Sequence, residues 1–228
     1  MNKESIKIKD KEFILDCVLI LVILQICRVI IKNILLSLLN FTVININIAN
    51  IISIMIVGIS ISMILRGNNL FNPAGYRLKA LANRHDNKNI RIILAVATII
   101  VLGLTVVFKG EKLFYGVLII CLAAVAVPIY EEMIFRQYFW NYIDSFLQDE
   151  KKTFIITSVL SVLFTIGYWD IISQNLAVIS SAKFTIDVVF SKMMSGILIA
   201  IGTGLMKYKY NDLYLCIFVH SILACIIL

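Results

Sequence analysis

The sequence predicts an all-α protein, a polytopic membrane bundle of about seven transmembrane helices, and three observations predict it. Only 15% of the 228 residues are charged and the mean hydropathy is +0.95, whereas soluble chains carry about 25% charged residues. Apolar runs of the length that crosses hydrocarbon, about 17 to 25 residues, recur along the chain. Lysines and arginines collect in the gaps between those runs, so the net charge of +7 reads as a topology signal rather than a nucleic-acid surface.

The runs fall at 13–32, 44–65, 91–108, 114–134, 153–169, 188–206 and 212–228. The leader MNKESIKIKDKEF is charged, but the apolar run behind it lacks a small-residue cleavage site and continues too long for a signal peptide. From Arg28 to Asn50 isoleucines mix with charges and asparagines, which leaves open an amphipathic piece at 32–47 lying along the membrane surface. The loop RGNNLFNPAGYRLKALANRHDNKNIR reads as a cytoplasmic linker holding a short basic helix, with His85 as a solvated loop residue. Residues 1–90 thus form the N-terminal helices and basic loop, and 91–228 the membrane core.

Positive charge sets orientation. The leader, the 66–91 loop, Arg136 with Lys151 and Lys152, and Lys207 with Lys209 occupy alternate gaps; the opposite gaps hold little beyond Lys32, Lys109, Lys112 and Lys183. That bias places the N-terminus in the cytoplasm and the C-terminus outside. The cysteines (Cys17, Cys27, Cys121, Cys216, Cys225) lie in apolar runs without CxxC spacing and read as buried free thiols.

The chemistry-bearing stretch is PIYEEMIFRQ, 128–137. Carboxylates in hydrocarbon cost roughly 2.5 kcal/mol or more, so they persist where something uses or pairs them. On an α-helix Glu132 and Arg136 are i and i+4 neighbours that can pair. Glu131 is rotated by about 100°, free for chemistry or for another helix. Pro128 removes a backbone hydrogen bond and bends the helix just before the pair, and the glutamates fall near the cytoplasmic end of the 114–134 run. Two readings stay open at this point: solvated interfacial charges with Arg136 snorkelling, or a low-dielectric carboxylate that takes a proton from water. His220, midway through the last run, is either a helix-to-helix hydrogen-bonding group or a functional partner.

Other constellations are weaker. Cys216 and His220 share a helix face at i and i+4, a geometry for an activated thiolate, though packing residues align this way equally well. Asp16 and Asp187 sit at the edges of apolar runs and read as interfacial. The stretch SGILIAIGTG suits close helix packing in lipid and follows no nucleotide-binding pattern.

PIYEEMIFR resembles the EExxxR motif of the CPBP family of intramembrane proteases, also called the Abi or CAAX-protease family, which includes the Rce1-type prenyl endopeptidases. The resemblance spans roughly residues 90–228. It implies a helical membrane endopeptidase in which Glu131 is the general base that activates water and Glu132 with Arg136 is the supporting ion pair. The family's later motifs are FxxxH and HxxxN. His220 fits the start of the second of these, but Tyr168 stands where the first expects histidine, after Phe164, and Ala224 stands where asparagine is usual. A tyrosine hydroxyl donates a hydrogen bond to an oxyanion but is a poor proton acceptor at neutral pH, and alanine does neither. The family carries a metalloprotease label, yet a zinc site wants about three protein ligands and only Glu131 and His220 are obvious ones. No metal and no cofactor is expected.

The resemblance therefore implies an endopeptidase acting on a membrane-associated peptide or protein, with lipids and that substrate as partners and no nucleic acid. The departures at Tyr168 and Ala224 keep a second reading open: an impaired family member that binds a peptide or partner as a scaffold or bacteriocin self-immunity protein. A transporter with a carboxylate relay explains Glu131 but offers no reason for Arg136 and His220. The bias toward Ile, Asn and Lys fits an AT-rich bacterial genome and a bacterial cell membrane.

Overall fold

In hydrocarbon a backbone N–H or C=O finds no water, so the apolar runs satisfy their own hydrogen bonds as helices. The computed structural model describes residues 3–39, 42–67, 87–108, 113–168, 170 and 182–227. Residues 68–86 of the basic loop, His85 among them, lie outside the described residues. The elements are α1 (Lys3–Leu38), α2 (Val43–Gly67), α3 (Lys88–Phe108), α4 (Leu113–Cys121), α5 (Val127–Glu132), α6 (Trp140–Leu147), α7 (Glu150–Ile166), α8 (Ala182–Tyr210) and α9 (Leu213–Ile227). Two π-helical turns, Leu122–Ala126 and Met133–Phe139, join α4, α5 and α6 into one rod. Counting that rod once, seven helical rods stand among the described residues, and none of those residues forms a strand.

Four stretches are long and apolar enough to cross a membrane: Leu15–Leu38, Ile44–Ile61, Lys88–Phe108 and Gly116–Leu147, with α9 a shorter apolar helix. The protein is an all-α integral membrane bundle. Exposed Leu19, Ile23, Ile26 and Ile30 on α1 and Ile93, Ile99 and Ile100 on α3 present the apolar surface that lipid covers.

Several expectations are corrected here. Helix α1 runs unbroken to Leu38 and α2 starts at Val43, so 32–38 and 43–47 belong to these two helices rather than to a separate surface piece. Arg28 and Lys32 are compatible with a long first helix because both are buried and face Asp170; Lys32 is therefore part of the interior and not of a polar gap. The glutamate helix does not end soon after the motif but continues to Leu147, which leaves Glu131 and Glu132 near the middle of the rod. Cys27 and Cys121 are exposed on the apolar surface, while Cys17, Cys216 and Cys225 are buried; all five thiols are free.

The main core joins the first two helices to the rod and to α7. Cys17 and Leu21 of α1 and Ile54 and Val57 of α2 pack with Tyr130, Phe135 and Phe139 of the rod and with Leu160 and Phe164 of α7. Phe164 is its aromatic centre, edge-on to Phe135 at 5.3 Å and to Tyr168 at 5.6 Å. Helix α8 approaches closely through its glycines: a Cβ on Gly204 would lie 2.5 Å from the Phe154 ring of α7, and one on Gly202 3.1 Å from Leu223 of α9. Small residues let transmembrane backbones come together in this way.

Candidate active site

Pro128 explains the local shape of the rod. It has no N–H to donate, and in an α-helix its ring would press on the carbonyl four residues back. The chain answers with a widened turn, in which the Val127 N–H bonds to the Leu122 carbonyl five residues back. A second widened turn follows the glutamates, closed by the Trp140 N–H on the Phe135 carbonyl. Glu131 and Glu132 therefore end a six-residue α-helical segment set between two π turns, an irregularity frequent at functional sites.

Both carboxylates are buried, Glu131 at 5% and Glu132 at 2% exposure, as is His220 on α9 at 2%. His220 stands between them. Its Nδ1 lies 2.7 Å from Glu132 Oε1 and its Nε2 4.0 Å from Glu131 Oε2. An ionised carboxylate only accepts, so with Glu132 ionised the Nδ1 carries the proton. In the neutral ring this leaves the Nε2 lone pair facing Glu131.

Arg136 is completely buried and its strongest bonds go elsewhere than to Glu132. Its Nε donates to Thr203 Oγ1 at 3.1 Å, one terminal nitrogen to Thr157 Oγ1 at 3.1 Å and the other to the Ala200 carbonyl at 2.7 Å, while Glu132 Oε2 is 3.5 Å from Nε. The guanidinium thus ties the rod to α7 and α8, and the Glu132 carboxylate is shared between a close imidazole and a more distant arginine.

Tyr168 is buried two positions beyond the end of α7. Its hydroxyl neighbours the Glu131 carboxylate but makes no hydrogen bond of normal geometry among the described residues. Ala224 packs with Ile120, Ala124 and Cys225 in a small apolar cluster and offers the site no polar atom. The Cys216 thiol is hydrogen-bonded to the carbonyls of Asp212 and Thr203 at 3.1 and 3.4 Å, a packing arrangement. Among the described residues no three His, Cys, Asp or Glu side chains converge as metal ligands, and the donor set, with His220 Nδ1 given to Glu132, does not fit a metal.

One polar cluster escaped sequence reading. Arg28 pairs with Asp170 at 2.5 Å, Lys32 bonds the same carboxylate, and the Arg28 guanidinium lies over the Tyr168 ring, 4.9 Å from its centroid. The signal was present: Arg28 and Lys32 are charges inside an apolar run at i and i+4, as Glu132 and Arg136 are. A second pair, Arg91 with Asp212, joins the start of α3 to the α8–α9 turn, with Asn87 Nδ2 donating to the Tyr210 carbonyl at 3.2 Å.

Fold and site together define a helical integral membrane protein with a buried cluster of two carboxylates, an imidazole and a phenol. The model of the type II CAAX prenyl endopeptidase Rce1-like family matches residues 92–226. That is more than half of the chain, and the chain belongs to this family. Comparison with curated proteins gives no match, and neither does comparison with solved structures.

Proposed function

We propose that the protein is an intramembrane endopeptidase that cuts a membrane-associated peptide or protein with water activated by Glu131. One observation carries the reading: two acceptors, Glu131 Oε2 and the free Nε2 of His220, face each other at 4.0 Å, while Nδ1 of the same ring is fixed by Glu132. A water at about 2.8 Å from each directs one hydrogen to the carboxylate and one to the imidazole, and its lone pairs point away toward a carbonyl carbon.

Glu131 takes the proton as the water oxygen bonds to the scissile carbonyl carbon, and the carbonyl oxygen becomes an oxyanion. The Tyr168 hydroxyl, without a hydrogen-bond partner of normal geometry among the described residues, is the donor suited to that oxyanion. Collapse breaks the C–N bond, the proton on Glu131 passes to the leaving amine, and the site returns to its starting state. Glu132 and Arg136 hold His220 and the rod in register. With Tyr168→Phe, cleavage of a fluorogenic prenylated peptide is expected to fall by roughly 10²- to 10³-fold, the usual cost of one oxyanion donor. Loss of activity in Glu131→Gln tests the base directly, and unchanged cleavage in that variant would remove it from the mechanism.

A second reading is favoured by Ala224, whose apolar cluster supplies none of the polar help that the family's asparagine implies. On it the protein binds a peptide or partner without cutting, as a scaffold or bacteriocin self-immunity factor, and Glu131→Gln keeps its biological effect. The distribution of Lys and Arg over alternate gaps supports a cytoplasmic N-terminus, and the composition a bacterial cell membrane.

A further inference from the structure

Tyr168 is buried in the main core and its backbone N–H donates to the Thr165 carbonyl at 3.3 Å, but its hydroxyl is less well held. It lies beyond the last residue of α7, and among the described residues its hydroxyl has no hydrogen-bond partner of normal geometry. Its ring rests edge-on against Phe164 on one side, at 5.6 Å, and beneath the Arg28 guanidinium on another, at 4.9 Å. Arg28 is fully buried and tightly oriented. Its Nε donates to Gln25 Oε1 at 2.8 Å, and its terminal nitrogens donate to the two Asp170 oxygens at 3.2 and 2.5 Å and to the Gly167 carbonyl at 3.2 Å. Gln25 in turn donates to the Phe164 carbonyl at 3.3 Å. A planar fork held at that many points fixes the plane that lies on the phenol.

We propose that Arg28 is a positioning residue of the site: it fixes the Tyr168 ring, and through it the hydroxyl beside Glu131, so that α1 belongs to the working unit although it lies outside the stretch the family model covers. The proposal rests on the Glu131 reading above for its catalytic consequence, but not for the geometry. Lysine at 28 would keep the charge near Asp170 and lose the fork and the stacking plane. Lys32 remains on Asp170, so the variant retains a tie between α1 and the chain just beyond α7.

The test is an infrared titration of purified full-length protein in detergent over the full acid range, following the carboxylic C=O band that Glu131→Gln removes. Around Glu131 stand Tyr168, His220, Glu132 and Arg136, the last three left untouched. Tyr168→Phe is expected to move the titration midpoint of that band, Arg28→Lys to move it in the same sense by the same amount, and the double variant to move it no further. On a prenylated peptide Arg28→Lys lowers kcat toward the Tyr168→Phe value with KM unchanged. A midpoint that stays at the wild-type position in Arg28→Lys, with a lowered melting temperature alone, would make Arg28 only a structural clamp and overturn the proposal; so would shifts that add in the double variant, or a Tyr168→Phe variant that moves nothing. Failure of the protease reading shows separately, as no cleavage by wild type, and leaves the infrared result intact.

Discussion

Replacing Arg136 by methionine isolates what the buried guanidinium does, because the apolar stem is kept and the charge and donors go. Three cross-helix hydrogen bonds are lost, to Thr203, Thr157 and the Ala200 carbonyl. At an average near 0.6 kcal/mol each inside a membrane, they amount to about 2 kcal/mol. Stripping one partner from a buried ion pair typically costs about 3 to 5 kcal/mol. Glu132 keeps His220 at 2.7 Å and the arginine is the more distant partner at 3.5 Å, so the lower end applies to the pair, about 3 kcal/mol, and with the hydrogen bonds the loss comes to about 5 kcal/mol. Reversible unfolding by SDS titration, followed by intrinsic fluorescence, reads this difference. The double variant Glu132→Gln/Arg136→Met should recover part of it, since a neutral amide strands no charge. A single variant within about 0.5 kcal/mol of wild type, or a double variant as unstable as the sum of the singles, would refute the assignment of Arg136 as the electrostatic tie between rod, α7 and α8.

Two further outcomes follow from other parts of the fold. Asp149, outside the spans, caps α7 by accepting from the backbone N–H groups of Lys152 and Lys151, and these bonds, that of Lys152 first, hold its carboxyl below the ordinary carboxylate value. A lowered folded-state value means stabilisation that is present above the unfolded value near 3.9 and disappears as pH falls through the folded one; the melting-temperature gap between wild type and Asp149→Asn should be constant near neutrality and close in acid, and a gap unchanged with pH would contradict this. Gly204→Val should destabilise by about 1 to 3 kcal/mol in the same SDS assay, because its Cβ meets the Phe154 ring; a neutral result would mean that α7 and α8 separate at little cost.

Hydropathy made the spans legible because burial in lipid acts on each segment separately, and the run of isoleucine and leucine in α3 or α9 carries that signal alone. What was not legible is relational. Arg28 and Lys32 looked like interruptions of a span because their partner, Asp170, stands 142 and 138 positions away. Likewise, His220 meets Glu132 across 88 positions, and spacing along one helix favours Arg136 as the glutamate's partner simply because it is local. The π turns around Pro128 were invisible for a different reason: residues at i and i+4 remain near one face in either helix type, so the pattern of EExxxR does not distinguish them. Tyr168 and Ala224 were visible as departures from a motif, but only packing revealed that the first faces the carboxylate while the second lies in an apolar cluster.

Water activation by Glu131 for peptide cleavage is tested by comparing protein N-termini in membranes of a deletion strain carrying either the wild-type gene or Glu131→Gln at matched expression. New N-termini are expected with wild type and should vanish in the variant. Identical profiles, with both genes rescuing the deletion phenotype, would contradict that activation and leave a protein that binds without cutting.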